Sequence, residues 1–442
     1  MFKRSRFTLL FPSFGGQGIL YNSFNGKLTL LNPETLPIAR SILWRPNYPY
    51  RNKKYQDVLR KLFQRGHLVK ADKNELQLVR TRYWKGRNNS NDLWLTLAPT
   101  QDCNLDCVYC YQGRHQRISW TGEAEEAVYR FIQQRLKPRS LLDVTWYGGE
   151  PLLALPTILR FSKRLMALVR RRKGTWACDM VTNGTLLTPK SAEKLKAIDC
   201  RQYQITLDGP KEINDQQRRM KDRKSSFDQV VRNLKALDLS DLSIMIRVNV
   251  FKKTADRAKE LIDLLAAEGL QGKVSLALAP VDAVTKACHG IEKECLDPPE
   301  FTNWHFQSLV SMEEKGFSTT SIPESINVHC GADQENAFVI DWEGDLFKCW
   351  NDVGQRELRI GTVLQPREIS FRGTYWDQWD PFQSRACRLC PVLPVCLGGC
   401  PAYARTPRYE DRKCLYKKYQ LADYLNFHVW KSLRPGPSDK TL

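Results

Sequence analysis

The chain of 442 residues contains no run of the roughly 18 to 20 uncharged apolar residues that a membrane-spanning helix needs, so no membrane segment is expected. Its 14 cysteines make up about 3% of the residues, far below the density of a small disulfide-stapled secreted scaffold, and a disulfide framework is a poor reading. The N-terminus, MFKRSRFTLLFPSFGG, opens on a basic stretch, but its apolar run is short, is broken by Pro12 and lacks a small-x-small cleavage pattern; it is read as mature protein. The expectation is a soluble cytoplasmic protein, in a compartment where thiols stay reduced and clustered cysteines more often bind metal than one another. Disorder is excluded too, since 42% of the residues are hydrophobic and 10% aromatic, and the length suffices for two or three domains with real cores.

What the composition does single out is the cysteines and the positive charge. Cys103, Cys107 and Cys110 lie in TQDCNLDCVYCYQ, a C-x3-C-x2-C spacing directly after the apolar run Leu93–Leu97. Seven more, Cys330, Cys349, Cys387, Cys390, Cys396, Cys400 and Cys414, lie near the C-terminus, and Cys178, Cys200, Cys288 and Cys295 are scattered. Three thiolates on one loop can hold three irons of a cubane cluster and leave the fourth open to a small ligand. A structural zinc would have to find a fourth ligand elsewhere.

The C-x3-C-x-aromatic-C loop, with Tyr109 in the aromatic place, resembles the signature of the radical S-adenosylmethionine (radical SAM) enzymes. The C-terminal pattern, C-x13-G-x4-C through Gly344, then C-x2-C-x5-C-x3-C and a final Cys, resembles the SPASM domain, which carries auxiliary 4Fe-4S clusters in that superfamily. The resemblance implies a 4Fe-4S cluster on Cys103, Cys107 and Cys110 that binds SAM, two auxiliary clusters, and an external electron donor of the flavodoxin or ferredoxin type. It places Cys387, Cys390, Cys396 and Cys414 on one auxiliary cluster and leaves Cys330, Cys349 and Cys400 for the other, one ligand short. GADQENAFVIDWEGDLFK supplies no further cysteine, so that site is open, or is completed by Cys288, Cys295 or a group such as Asp333, or holds no intact cluster. Cys178 and Cys200 read as buried packing residues.

Between the two cysteine sets, Val/Ile/Leu/Thr-rich runs at 141–146, 176–181, 202–207, 243–251 and 273–279 alternate with helix-like segments at 121–136, 155–171, 188–197, 226–236 and 254–268. That alternation implies an α/β fold with a parallel sheet, read as a partial (β/α)6 TIM-like barrel, in which functional residues sit at the C-terminal strand ends. There lies Trp146-Tyr147-Gly148-Gly149-Glu150-Pro151, a glycine turn with a surface Glu on one reading. By resemblance it is the GGEP motif that holds SAM's amino group. Asn183, after the third strand, is read as a further SAM contact. By the same resemblance Thr206 lies near SAM's ribose and Arg218 near its carboxylate, which a guanidinium can grip with two parallel hydrogen bonds. Arg219, Lys221, Arg223 and Lys224 leave open a solvated basic loop, and Asp208 could be a turn-former before Gly209-Pro210.

Domains are expected at 1–92, 93–322 and 323–432, with a flexible tail at 433–442. The first reads as a hairpin around Asn25-Gly26, helices near 33–44 and 53–65, and a strand plus helix. That order resembles the winged-helix-like recognition domains of peptide-modifying radical SAM enzymes, which take a precursor's leader peptide as an added strand; a structural cap is the alternative. The balance of 68 Lys+Arg against 48 Asp+Glu gives +20, which suits an acidic leader peptide and equally RNA, though nucleic acid is the disfavoured partner. The expected activity is abstraction of hydrogen from a ribosomally made precursor peptide to form an intramolecular thioether or carbon–carbon cross-link. A sulfatase-type maturase making formylglycine and a non-catalytic Fe-S nucleic-acid-binding protein are the alternatives. No general base is selected.

Overall fold

Two regions of the chain fold on different sequence rules, local hairpins and short helices in one, strand–helix alternation in the other. A computed structural model describes residues 1–113, 115–283, 285–319, 322–406, 413, 414 and 416–433. The tail expected at 433–442 lies, from residue 434 on, outside the described residues. The chain forms two compact units, 1–87 with 320–330 and 379–442, and 88–319 with 331–378.

In the first unit β1 (Phe2–Arg4) pairs antiparallel with β5 (Leu68–Lys70), and β2 (Thr8–Pro12), β3 (Gly18–Asn22) and β4 (Leu28–Leu31) form a meander. The β3–β4 turn closes through Gly26, whose φ of +71° suits glycine, as the Asn-Gly pair leads one to expect. Helices follow at Thr35–Trp44, Lys53–Gln64 and Glu75–Arg87. Asn52 caps the second by accepting from the Lys54 amide at 2.8 Å. Because β3 is covered on both faces, its residues are buried without alternation: Leu20 packs among Leu36, Ile42 and Leu62, while Ile19 and Tyr21 pack among Val392, Leu425 and Val429.

The second unit is built on a nine-stranded sheet. Six strands, β6 (Leu93–Leu97), β8 (Leu141–Trp146), β9 (Thr175–Thr182), β10 (Gln202–Thr206), β12 (Ser243–Val250) and β13 (Val274–Pro280), lie side by side in chain order and parallel. Apart from them, β7 (Leu105–Cys107) pairs antiparallel with β11 (Arg218–Met220), a pairing the basic run 218–224 does not announce. On the free edge of β6 the sheet continues through β14 (Ala337–Ile340), β15 (Asp345–Phe347) and β16 (Gly361–Thr362). Residues 331–378 of the segment read as a C-terminal domain therefore belong to this unit, because the backbone of β14 completes β6.

Along β8, Leu142, Val144 and Trp146 are buried and Leu141, Asp143 and Thr145 half-buried; β12 alternates in the same way. The buried set faces the helices: the Phe161 ring of helix Leu155–Arg171 lies 6.3 Å from Trp146 and 5.4 Å from Trp120, edge-on. The other face of the sheet is polar, with Asp143, Asp179, Gln204 and Arg247 on successive strands. Parallel sheets usually bury apolar residues on both faces, so this polar face marks the interior as a place for something other than core.

Phe161→Ala removes a fully buried ring, so we expect a loss of about 3–5 kcal/mol in denaturant unfolding followed by Trp fluorescence. On the polar face, burial raises the Asp179 carboxyl to about 6, with the Thr145 hydroxyl opposing and Asp143 adding to the rise. The folded chain holds that proton more tightly than the unfolded one, so this stabilisation is full below the ordinary carboxyl range and is lost as pH rises through about 6. Between pH 4 and 7 the wild type should therefore lose stability relative to Asp179→Asn in paired denaturation curves.

Candidate active site

The three-cysteine loop is anchored from both sides. Before it, the Gly149 amide donates to the Thr100 carbonyl at 3.0 Å and the Glu150 amide to the Asp102 carbonyl at 2.8 Å. The paired glycines are what allow this approach. A Cβ on Gly149 would stand 2.2 and 2.4 Å from the carbonyl oxygens of Gln101 and Asp102, and Gly148 holds a φ of +123°. Within the loop, the β7–β11 ladder sets Arg218 opposite Cys107, and the Val108 amide donates to Gln217 O at 3.0 Å.

Glu150 is fully buried and is not the surface residue of a glycine turn. Its carboxylate accepts from the Leu152 amide at 3.0 Å, the Thr182 hydroxyl at 2.7 Å and the Asn183 amide at 2.8 Å, tying the end of β8 to the end of β9. Burial raises its carboxyl, and those donors, with Arg218, pull it back. Asn183 in turn donates to Asn104 Oδ1 at 2.8 Å, and Asn104 donates to the Thr185 hydroxyl at 2.8 Å, so the loop is pinned to β9 as well. Thr206, at the end of β10, is buried and in register with Arg247.

Arg218 is 8% exposed, whereas Arg219, Lys221, Arg223 and Lys224 are exposed, so the solvated-loop reading applies to those four and not to Arg218. Its Nη1 donates to the Tyr109 hydroxyl at 2.6 Å, and that hydroxyl donates to Asp208 Oδ2 at 2.5 Å. Asn249 Nδ2 donates to the same hydroxyl at 3.2 Å, and the Asn249 amide to Asp208 Oδ1 at 3.0 Å. Asp208, 0% exposed, is therefore more than a turn-former. Sequence reasoning missed Asn249, although its place near the end of β12 follows the same strand-end rule that flagged Glu150.

The thiols of Cys103, Cys107 and Cys110 are free. Burial, and for Cys103 then the Glu150 charge, push that thiol up to about 12; burial and Cys107 push Cys110 up to about 11, and Arg218 opposes both. Such a set holds its protons until a cation replaces them. Among the described residues, Asp341, Glu343 and Asp345 form a separate set of possible ligands whose atoms lie within 4.8 Å of one another. Beside the loop, Gln112 donates to Gly148 O at 3.4 Å, and its own Oε1 is buried without a hydrogen-bond partner, as is Gln217 Oε1 next to Arg218. The buried Arg218 guanidinium suits a ligand's carboxylate, and the unsatisfied Gln112 oxygen near Gly148 suits an ammonium group.

A family model for the radical SAM superfamily matches residues 97–265. The serine-type anaerobic sulfatase-maturating enzyme of Bacteroides thetaiotaomicron is 30% identical over 74% of this chain and 88% of its own length. The chain belongs to the radical SAM superfamily. A match to the Fe-coproporphyrin III synthase of Methanosarcina barkeri, at 29% identity, covers 38% of this chain and only 40% of that protein. The crystal structure of Streptococcus suis SuiB bound to precursor peptide SuiA shares the fold, with a TM-score of 0.51 at 16% identity over 93% of this chain and 98% of that one. As a radical SAM enzyme the chain works with a 4Fe-4S cluster and SAM, and the donor set described above fits both.

The remaining cysteines separate by location. Burial and the neighbouring Cys390, Cys387 and Cys414 push the Cys396 thiol up to about 12, so these four lie together in the first unit. Cys330 and Cys400 belong to that unit and Cys349 to the other. Cys288 and Cys295 are buried in the second unit with Ala283, against Tyr111 of the cysteine loop. Cys178 and Cys200 are buried, and burial and then Cys200 raise the Cys178 thiol. No helix among the described residues is long and apolar enough to cross a membrane.

Gly149→Ala should displace Thr100–Asp102 and with them Cys103. Iron bound per chain after anaerobic reconstitution is expected to fall by roughly one cluster's worth, with circular dichroism reporting an intact fold.

Proposed function

We propose that this enzyme is a peptide maturase in which Cys103, Cys107 and Cys110 hold the SAM-binding cluster. Gly148, Gly149, Glu150, Asn183, Thr206 and Arg218 surround SAM, and the product is an intramolecular thioether or carbon–carbon cross-link in a ribosomally made precursor. The observation that carries this reading is the convergence of the three-cysteine loop, the Gly148–Glu150 turn and the Arg218 guanidinium at the C-terminal ends of the strands. When bound, the reduced cluster and SAM supply a 5′-deoxyadenosyl radical able to take hydrogen from an unactivated carbon. The chain's own part is to orient and seclude. Glu150 and Asn183 keep the loop against β9, Arg218 offers its donors to the SAM carboxylate, and the polar inner face, with Asp143, Asp179 and Arg247, receives substrate groups.

Cys387, Cys390, Cys396 and Cys414 are assigned to one auxiliary cluster, and Cys330, Cys349 and Cys400 to a second whose remaining ligand is open to substrate. Clusters held there would supply an acceptor for the electron left on the substrate, and a flavodoxin- or ferredoxin-type protein would supply the first electron in the cytoplasm. The N-terminal unit is assigned to the leader. The edge strand β5 borders a groove of about 470 Å³ lined by Phe63, Leu68, Lys70, Asp72 and Lys73, whose two lysines against one carboxylate suit an extended acidic peptide. The match to SuiB bound to a precursor peptide covers 93% of this chain.

A second reading, oxidation of one Cys or Ser to formylglycine, is favoured by the 30% identity to the sulfatase-maturating enzyme. Product mass and fragmentation decide between them: a cross-link joins two residues, whereas formylglycine alters one. Alanine at Cys103, Cys107 or Cys110 should abolish cleavage of SAM to 5′-deoxyadenosine under anaerobic reduction. Alanine at Cys387 or Cys414 should leave measurable cleavage and lose the peptide product; equal loss in both sets refutes the division of roles.

A further inference from the structure

The assignment of Arg218 to SAM leaves the groups around it without a task. Opposite charges at this depth ordinarily meet directly, with the guanidinium forking onto the carboxylate. Here a phenol stands between them: Arg218 Nη1 donates to the Tyr109 hydroxyl at 2.6 Å, and the hydroxyl donates to Asp208 at 2.5 Å. Asp208 is itself held by the Asn249 amide at 3.0 Å, and its own amide donates to Asn214 Oδ1 at 3.1 Å. The Tyr109 ring is fixed edge-on against Phe251 at 5.4 Å, and Asn249 Nδ2 steadies the hydroxyl at 3.2 Å. Four separate elements, the cysteine loop, the ends of β10 and β12, and β11, thus meet at one oxygen.

We propose that Tyr109 and Asp208 are positioning residues: Asp208 orients the Tyr109 hydroxyl, and the hydroxyl sets the Arg218 guanidinium so that its remaining donors meet the SAM carboxylate. This rests on the reading of Arg218 as a SAM contact. With one donor given to a phenol rather than two to Asp208, the guanidinium keeps N–H groups for a ligand. Because Tyr109 lies between Cys107 and Cys110, the shape of the cysteine loop and the grip on the cofactor become one variable.

SAM affinity is measured by equilibrium dialysis on anaerobically reconstituted wild type, Tyr109→Phe, Asp208→Asn and the double variant, with iron and sulfide content determined for each. The expected result is about tenfold weaker SAM binding in each single variant, with the double variant no weaker than either. The EPR change of the reduced cluster on SAM addition should shift to about tenfold higher SAM in step. A residue that merely supports the fold would give losses that multiply. Tyr109→Phe binding within about twofold of wild type overturns the proposal, as do multiplying losses, and as does loss of iron in Tyr109→Phe, which would assign the hydroxyl to the loop alone. Should Asp208→Asn fail to load iron, Arg218→Gln takes its place in the cycle, and Tyr109→Phe is expected to add nothing to it. A wild type that loads iron but does not bind SAM would instead defeat the reading of the site.

Discussion

A ladder of three residues, Leu105–Cys107 against Arg218–Met220, holds the cysteine loop to the barrel, and the rest of the site is arranged around its register. Because strand side chains alternate, setting Arg218 opposite Cys107 decides which face of the loop the guanidinium meets. A slip of one residue would turn Arg218 outward and bring Arg219 inward. A buried cation of this kind is costly to desolvate, and it is tolerated because Asp208, the Tyr109 hydroxyl and the loop thiols surround it. The same groups also gain from it, since Arg218 lowers the proton affinity of both Cys103 and Cys110.

Glu150 performs the corresponding service on the other side of the loop. A fully buried carboxylate needs donors, and it finds them on two strand ends, so its charge becomes a stitch between β8 and β9. The two preceding glycines act on a still shorter scale by allowing backbone to lie against backbone between Thr100 and Asp102. Cofactor chemistry that must exclude water and side reactions demands such rigidity. It is supplied by backbone contacts and buried charges, whereas Asp143, Asp179, Gln204 and Arg247 on the polar face of the sheet stay half-buried.

Much of this organisation is legible in the chain. The helices at Leu155–Arg171 and Ser226–Ala236 coincide with the expected spans, and the parallel strands fall within about a residue of theirs, because long periodic segments carry their own signal. The hairpin at Asn25-Gly26 is equally local. By contrast β1, β7 and β11 have three residues each, too few for any periodicity, and exist only because of distant partners. The junction of β14 with β6 is of the same kind, joining to the barrel a stretch whose cysteine spacing speaks for the C-terminal set.

The sequence by itself determined the class of chemistry. Cysteine spacing on one loop is a local property, and the C-x3-C-x2-C run with Tyr109 in the aromatic place carries the resemblance to the radical SAM signature whatever the surrounding fold. It also determined where along the chain the strand ends, and therefore the candidate contacts, must fall. Only the tertiary structure decided that Glu150 is a buried stitch, that Cys387, Cys390, Cys396 and Cys414 come together, and that Arg218 reaches Asp208 through the hydroxyl of Tyr109, 109 residues away. Those outcomes depend on burial and on strand register between segments far apart, and no local pattern of residues encodes either.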